Sequence, residues 1–106
     1  MKYKLLRTQE FNNDIENLDN SEKIRVLKIL DNIIAKGDDI GKPLAGLSFF
    51  REKKFNEKRI YFLFYSDILI VLAIAISDKK AQQATINKIL LNLLEYQNYV
   101  YKMVKE

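Results

Sequence analysis

Apolar and polar positions recur along this chain with two different periods, and the changes of period mark its elements. Tyr3 to Arg7 alternates loosely over a few positions, which predicts a short edge strand. Phe11, Ile15 and Leu18 then recur at spacings of four and three, the apolar stripe of a helix. Thr8 is placed to cap that helix before Gln9. Asp19 and Asn20 interrupt the stripe, and Ser21 is a good cap for a second helix. Its apolar set is Ile24, Val26, Leu27, Ile29, Leu30, Ile33, Ile34 and Ala35, wide enough to pack on both a partner helix and a sheet. Gly37 ends it.

Asp38 to Gly46 is rich in turn residues, and Pro43 forbids a central strand there, so a plain connection from helix to sheet is expected. From Leu47 the period becomes that of strands. Leu47 to Phe50 opens the sheet, Lys53 to Lys58 forms a polar hairpin tip with Asn56 as its turn residue, and Arg59 to Tyr65 returns. Ser66-Asp67 turns the chain into Ile68 to Ile76, apolar at nearly every position and therefore expected to be covered on both faces. Ser77 or Asp78 can cap the last helix, whose stripe runs through Ile86, Ile89, Leu90, Leu93, Leu94, Tyr96, Val100 and Val104. No glycine or proline interrupts it, which predicts one helix of roughly 25 residues, ~37 Å long at 1.5 Å per residue. The order β-α-α-β-β-β-α predicts an α+β fold, a curled, mainly antiparallel sheet packed against helices, in a single domain spanning residues 1–106.

Composition narrows the chemistry. There is no histidine, which excludes the usual general base, the triads built on it and most zinc sites. There is no cysteine, which excludes disulfides and thiolate metal sites. The carboxylates form no metal-binding pattern, so no metal or cofactor is expected, and catalysis would fall to Lys, Arg, Tyr, Asp or Glu. The net charge of +4 suggests an anionic partner. The longest apolar run, Ile68 to Ile76, is nine residues, short of the ~20 a spanning helix needs. The start, MKYKLLRTQEF, lacks the apolar core of a secretory signal, so a cytoplasmic protein is expected.

The cations gather in the strand region, at Arg51, Lys53, Lys54, Lys58, Arg59, Lys79 and Lys80. Arg51 and Arg59 flank one hairpin. On adjacent antiparallel strands they could face the same way, about 5 Å apart, with an anion between them. They could equally be neutralised inside the hairpin by Glu52 or Glu57. Lys79 and Lys80 stand before the last helix, where cations oppose the macrodipole. The interleaved aromatics, Phe49 to Tyr65, fit either base stacking or a core. Tyr99 or Tyr101 on the last helix could serve as an acid or donor.

GKPLAGL (Gly41 to Leu47), FFR ending at Arg51, KRIYFLFY (Lys58 to Tyr65), ILIVLAIAISDKK (Ile68 to Lys80) and the long last helix together resemble the RelE/ParE superfamily of toxins, in its phage-derived HigB-like branch. The resemblance spans nearly the whole chain. It implies the toxin of a type II toxin–antitoxin pair, a metal-independent endoribonuclease that cleaves messenger RNA on the ribosome. The RNA 2′-hydroxyl attacks the adjacent phosphate while cationic side chains orient and stabilise it and a general acid assists the leaving 5′-oxygen.

Residue by residue, Arg51 and Arg59 match the arginines that would hold the phosphate. Lys79 and Lys80 match the basic pair that would stabilise its charge or move a proton. Lys53, Lys54 and Lys58 would dock RNA. The implied partners are a cognate antitoxin, often acidic, together with messenger RNA and the ribosome, as a homodimer or a toxin–antitoxin hetero-oligomer. The superfamily also offers a ParE-like inhibitor of DNA gyrase and a degenerate member that serves only as a protein-binding module. Phe49 stands where the family commonly has an acidic residue. Gln83, Ala84 and Thr85 stand where a further basic residue and a Thr-Pro pair usually follow.

Overall fold

The computed structural model describes residues 2–105, the side chain of Asp38 excepted. Five strands, β1 (Lys4–Arg7), β2 (Lys42–Leu44), β3 (Leu47–Phe55), β4 (Lys58–Tyr65) and β5 (Ile70–Asp78), form one sheet in the order β1-β5-β4-β3-β2. Helices α1 (Gln9–Glu16), α2 (Asn20–Lys36), α3 (Gln82–Leu91) and α4 (Leu93–Lys105) accompany it. β1 is an edge strand running parallel to β5, and the other pairings are antiparallel. The α+β architecture is therefore as expected, with two additions: a short outer strand β2 and a break in the last helix.

Alternation along the central strands builds two apolar layers. Phe55, Ile60, Phe62, Phe64, Val71 and Ala73 pack under α1 and α2 with Phe11, Val26, Leu30 and Ile33. Phe50, Tyr61, Leu63, Leu72 and Ile74 face the other way, against Ile89 and Val100 of α3 and α4. Covering both faces explains why β4 and β5 are apolar at nearly every position, since each fully buried large side chain contributes roughly 1.5–3 kcal/mol.

Caps place the helices. Thr8 Oγ1 accepts from Phe11 N at 3.0 Å and donates to Ile74 O at 2.6 Å, so one hydroxyl starts α1 and ties it to β5. Asp19, not Ser21, caps α2. Its Oδ1 accepts from Glu22 N at 2.8 Å while Glu22 Oε1 accepts from Asp19 N at 3.3 Å, a reciprocal capping box that the Ser21 hydroxyl supports by donating to Asp19 at 2.9 Å. Gly37 ends α2 with φ +68°, and a Cβ there would sit 2.4 Å from the Tyr3 ring.

Three boundaries differ from the sequence pattern. β3 continues to Phe55, which is buried under α2, so only Asn56 and Glu57 form the turn and Asn56 takes φ +50°. β5 begins at Ile70 rather than Ile68, because Leu69 has φ +54°, which ends the turn rather than extending a strand. The last helix divides at Asn92: its side-chain amide donates to Lys88 O at 2.7 Å, displacing the backbone N–H onto Ile89 O at 3.0 Å. An asparagine side chain competing for the i−4 carbonyl is a known helix disruptor.

The Asp19 carboxyl is held below its usual 3.8, first by the Glu22 N–H and then by the Ser21 hydroxyl. Its contribution to stability is therefore present above pH 3.8 and is lost as pH falls through the lowered folded value. Asp19→Ala should lower stability at neutral pH by removing the cap. Asp19→Asn should keep most of the cap but flatten the acid loss, as urea unfolding between neutral pH and about pH 3 will read.

Candidate nucleic-acid interface at the strand ends

Pairing outward from the Asn56-Glu57 turn decides which cations meet. Lys54 lies opposite Arg59, and Arg59 lies opposite Ser77 of β5. In the next rung Glu52 lies opposite Tyr61. Residues directly opposite on antiparallel strands share a face, so Glu52, Lys54, Arg59, Tyr61 and Ser77 all project toward α3. Lys79 and Lys80 leave β5 at this same end, exposed in the turn to α3. That turn is closed by Asp78 Oδ1 accepting from Ala81 N at 2.9 Å, which replaces the expected Ser77 or Asp78 helix cap.

Arg59 is the centre of this group and is 8% exposed. Its Nε lies 3.6 Å from Glu52 Oε2, an ion pair of the kind the charge pattern offered as an alternative. Gln82, in the first turn of α3, donates its Nε2 to both Glu52 oxygens, at 3.1 and 3.3 Å. Tyr61 Oη and Ser77 Oγ share a hydrogen bond of 2.7 Å, and Ser77 donates on to Asp78 O at 3.0 Å. Burial pushes the Tyr61 phenol up and the Ser77 bond only partly offsets it, so Tyr61 stays neutral and acts as a structural hydroxyl.

The structure does not bring Arg51 and Arg59 together. Arg51 lies opposite Phe62, on the α1–α2 side of the sheet. Its guanidinium donates to Ile40 O at 3.1 Å, Gly41 O at 2.9 Å and Ser48 O at 3.2 Å, clamping the approach to β2 onto β3. Gly41 makes that approach possible: it has φ +85°, and a Cβ would meet Glu52 O at 2.6 Å. Lys58 also faces α2, where its Nζ pairs with Glu22 Oε2 at 2.7 Å. Lys53 is exposed on that same side, within β3 rather than at a hairpin tip. Of the seven cations, Lys54 and Arg59 thus share the α3 side of one sheet end, and Lys79 and Lys80 leave β5 at that same end.

Neither tyrosine of the last helix reaches this end. Tyr101 donates to Asp67 in the turn at the far end of β4, and Tyr99 lines a groove with Arg7, Thr8 and Gln9. Among the described residues no group of three or more His, Cys, Asp or Glu could hold a metal, and no helix is long and apolar enough to cross a membrane.

No protein-family model and no curated protein matches this chain. Solved structures do. The free mutant form of the Escherichia coli toxin RelE superposes with a TM-score of 0.68 at 15% identity, over 78% of this chain and 90% of that one. The toxin–antitoxin complex RelBE2 from Mycobacterium tuberculosis gives 0.65 at 14%, over 74% and 100%. The archaeal RelE-RelB complex from Pyrococcus horikoshii OT3 gives 0.64 at 12%, over 74% and 97%. The chain has the RelE fold. At these identities the fold is what is shared, and the sequence motifs that suggested it are confirmed at that level.

Within this RelE-fold sheet the Glu52–Arg59 pair is buried on the α3 face, where losing one partner strands a charge. Glu52→Leu or Arg59→Met alone should cost about 3–5 kcal/mol, while the two together should cost far less. A double-mutant cycle by chemical denaturation reads this, and additive losses would mean that the pair is not coupled.

Proposed function

We propose that this protein is the toxin of a type II toxin–antitoxin pair, of the HigB-like branch of the RelE/ParE superfamily. It acts as a metal-independent endoribonuclease on messenger RNA held by the ribosome. The observation that carries the reading is the convergence of Lys54, Arg59, Lys79 and Lys80 at one end of a RelE-fold sheet in a chain without histidine.

The chemistry that these groups can support is the attack of the RNA 2′-hydroxyl on the adjacent phosphorus. The bond to the 5′-oxygen breaks, leaving a 2′,3′-cyclic phosphate and a 5′-hydroxyl. Arg59 and Lys54 hold the phosphate and offset its developing charge. Lys79 or Lys80 adds charge and gives a proton to the leaving oxygen, while the proton lost by the 2′-hydroxyl passes to water. Arg51 and Lys58 are assigned to the scaffold by their partners, and Lys53 to general docking of RNA.

The RelE structures with which this chain superposes include complexes with RelB antitoxins. A cognate antitoxin, acidic enough to complement the cationic end, is proposed for this chain as well. One observation favours a second reading: Arg59 is largely covered and paired to Glu52, as suits a non-catalytic member that only binds protein.

Expression of the intact chain should arrest growth and leave codon-phased cuts in messages. Arg59→Ala and Lys80→Ala should each lower cleavage about 10²–10³-fold, the usual loss on removing one charge-stabilising donor. Arg51→Ala should lower stability yet leave cleavage per folded molecule within a few-fold. Arrest with intact RNA and blocked supercoiling would identify a gyrase inhibitor instead. A tight complex with the product of a neighbouring reading frame, without arrest, would leave the binding module.

A further inference from the structure

Arg59 presents an unfinished anion site. Its Nε and Nη1 are buried and have no hydrogen-bond acceptor among the described residues, an arrangement proteins rarely leave without cause. The nearest carboxylate oxygen, Glu52 Oε2, stands 3.6 Å from Nε, beyond hydrogen-bond reach. Gln82 holds that carboxylate as well, its amide donating to both Glu52 oxygens. The charge is thus balanced while the directional donors go unused. Guanidinium forks bind carboxylates and phosphates with the same donor geometry, so any phosphate arriving at Arg59 competes with Glu52 for one place.

The first turn of α3 reaches that place through Gln82. Gln82 opens this helix, which has no side-chain N-cap of its own. The turn is anchored to the sheet end through Asp78 and through the Gln82–Glu52 contact. Lys79 and Lys80 stand exposed in the turn just before α3, so a segment that lifts to open Arg59 moves two further cations with it. Among the described residues neither these lysines nor Lys54 is paired with Glu52. A phosphodiester can recruit all three, which an internal carboxylate pinned by Gln82 does not.

We infer that Glu52 is an internal occupant of the phosphate position at Arg59, latched there by Gln82, and that RNA binds by displacing it as the first turn of α3 lifts. This rests on the ribonuclease reading and adds to it a built-in closed state. Glu52 and Gln82 are positioning residues, acting through Arg59. A site that is mostly closed weakens observed binding by the fraction that is open, so releasing the latch tightens binding by up to the inverse of that fraction.

The test uses the full chain and a fluorescent single-stranded RNA oligonucleotide methylated at every 2′-oxygen, which can bind but has no nucleophile. Glu52→Gln should tighten binding by about tenfold, the gain expected if roughly one molecule in ten is open. Gln82→Ala, which keeps the charge pair, should tighten it by a smaller factor. Adding Arg59→Ala to either variant should erase the gain. Should Glu52→Gln fail to fold by thermal unfolding, Gln82→Ala decides alone. Unchanged or weaker binding in the folded variants, or no binding by any form, overturns the latch. Unmethylated RNA separates the two ideas: cleavage by the wild-type chain with no gain in either variant keeps the nuclease and removes the latch. A gain in affinity without cleavage in any form keeps the latch and removes the nuclease.

Discussion

The register between β3 and β4 governs nearly everything else in this molecule. Two residues, Asn56 and Glu57, make the turn, and pairing proceeds from Phe55 opposite Lys58 outward to Phe50 opposite Leu63. That count sends Phe55 and Phe62 into the layer under α1 and α2, and Phe50, Tyr61 and Leu63 into the layer under α3 and α4. It also sends Arg59 and Lys54 to one side and Arg51 to the other. Because side chains alternate with a period of two, a slip of β3 by one residue would turn its apolar set to the wrong layers and bring Arg51 to the side of Arg59. The two cores therefore enforce the register, and the register composes the cationic end.

The α1–α2 layer holds that end from beneath. Glu22 serves twice, completing the capping box of α2 with one oxygen and pairing with Lys58 at the start of β4 with the other. Asp14 of α1 supplies an acceptor, at 2.8 Å, to the backbone N–H of Ile76, beyond the point where β1 stops pairing with β5 at Ala73. Burial raises the Asp14 carboxyl, partly countered by that same N–H. A side chain thus finishes the ladder that the short edge strand leaves incomplete.

On the opposite face a polar group adjoins the α3–α4 apolar layer, composed of Glu52, Arg59, Tyr61, Ser77 and Gln82. Such a group adds little to stability compared with an apolar replacement of the same shape, because desolvating both charges offsets their attraction. Its persistence at the strand ends, with guanidinium donors left free, is more readily understood through what a phosphate could do there than through the packing of the sheet.

Much of this was legible along the chain. The order of elements, the Thr8 cap, the stop at Gly37, the turn at Asn56 and the double covering of β5 all follow from local periodicity and from residues with special backbone freedom, because these are settled by neighbours in sequence. The motifs from Gly41 to Lys80 also point to the fold that the superpositions show. The break at Asn92 is local too, but asparagine inside a periodic stripe does not announce whether its amide will turn to the backbone or to water. What only the tertiary structure decided is which cation has which partner. Lys58 finds Glu22 and Arg51 finds the carbonyls of Ile40 and Gly41. Glu52 is shared between Arg59 and Gln82. These partners lie from a few to more than thirty positions apart, and charge has no periodicity that would foretell them. Composition can supply the cations, but the pleat of the sheet and the helix packed over it decide which remain free to act.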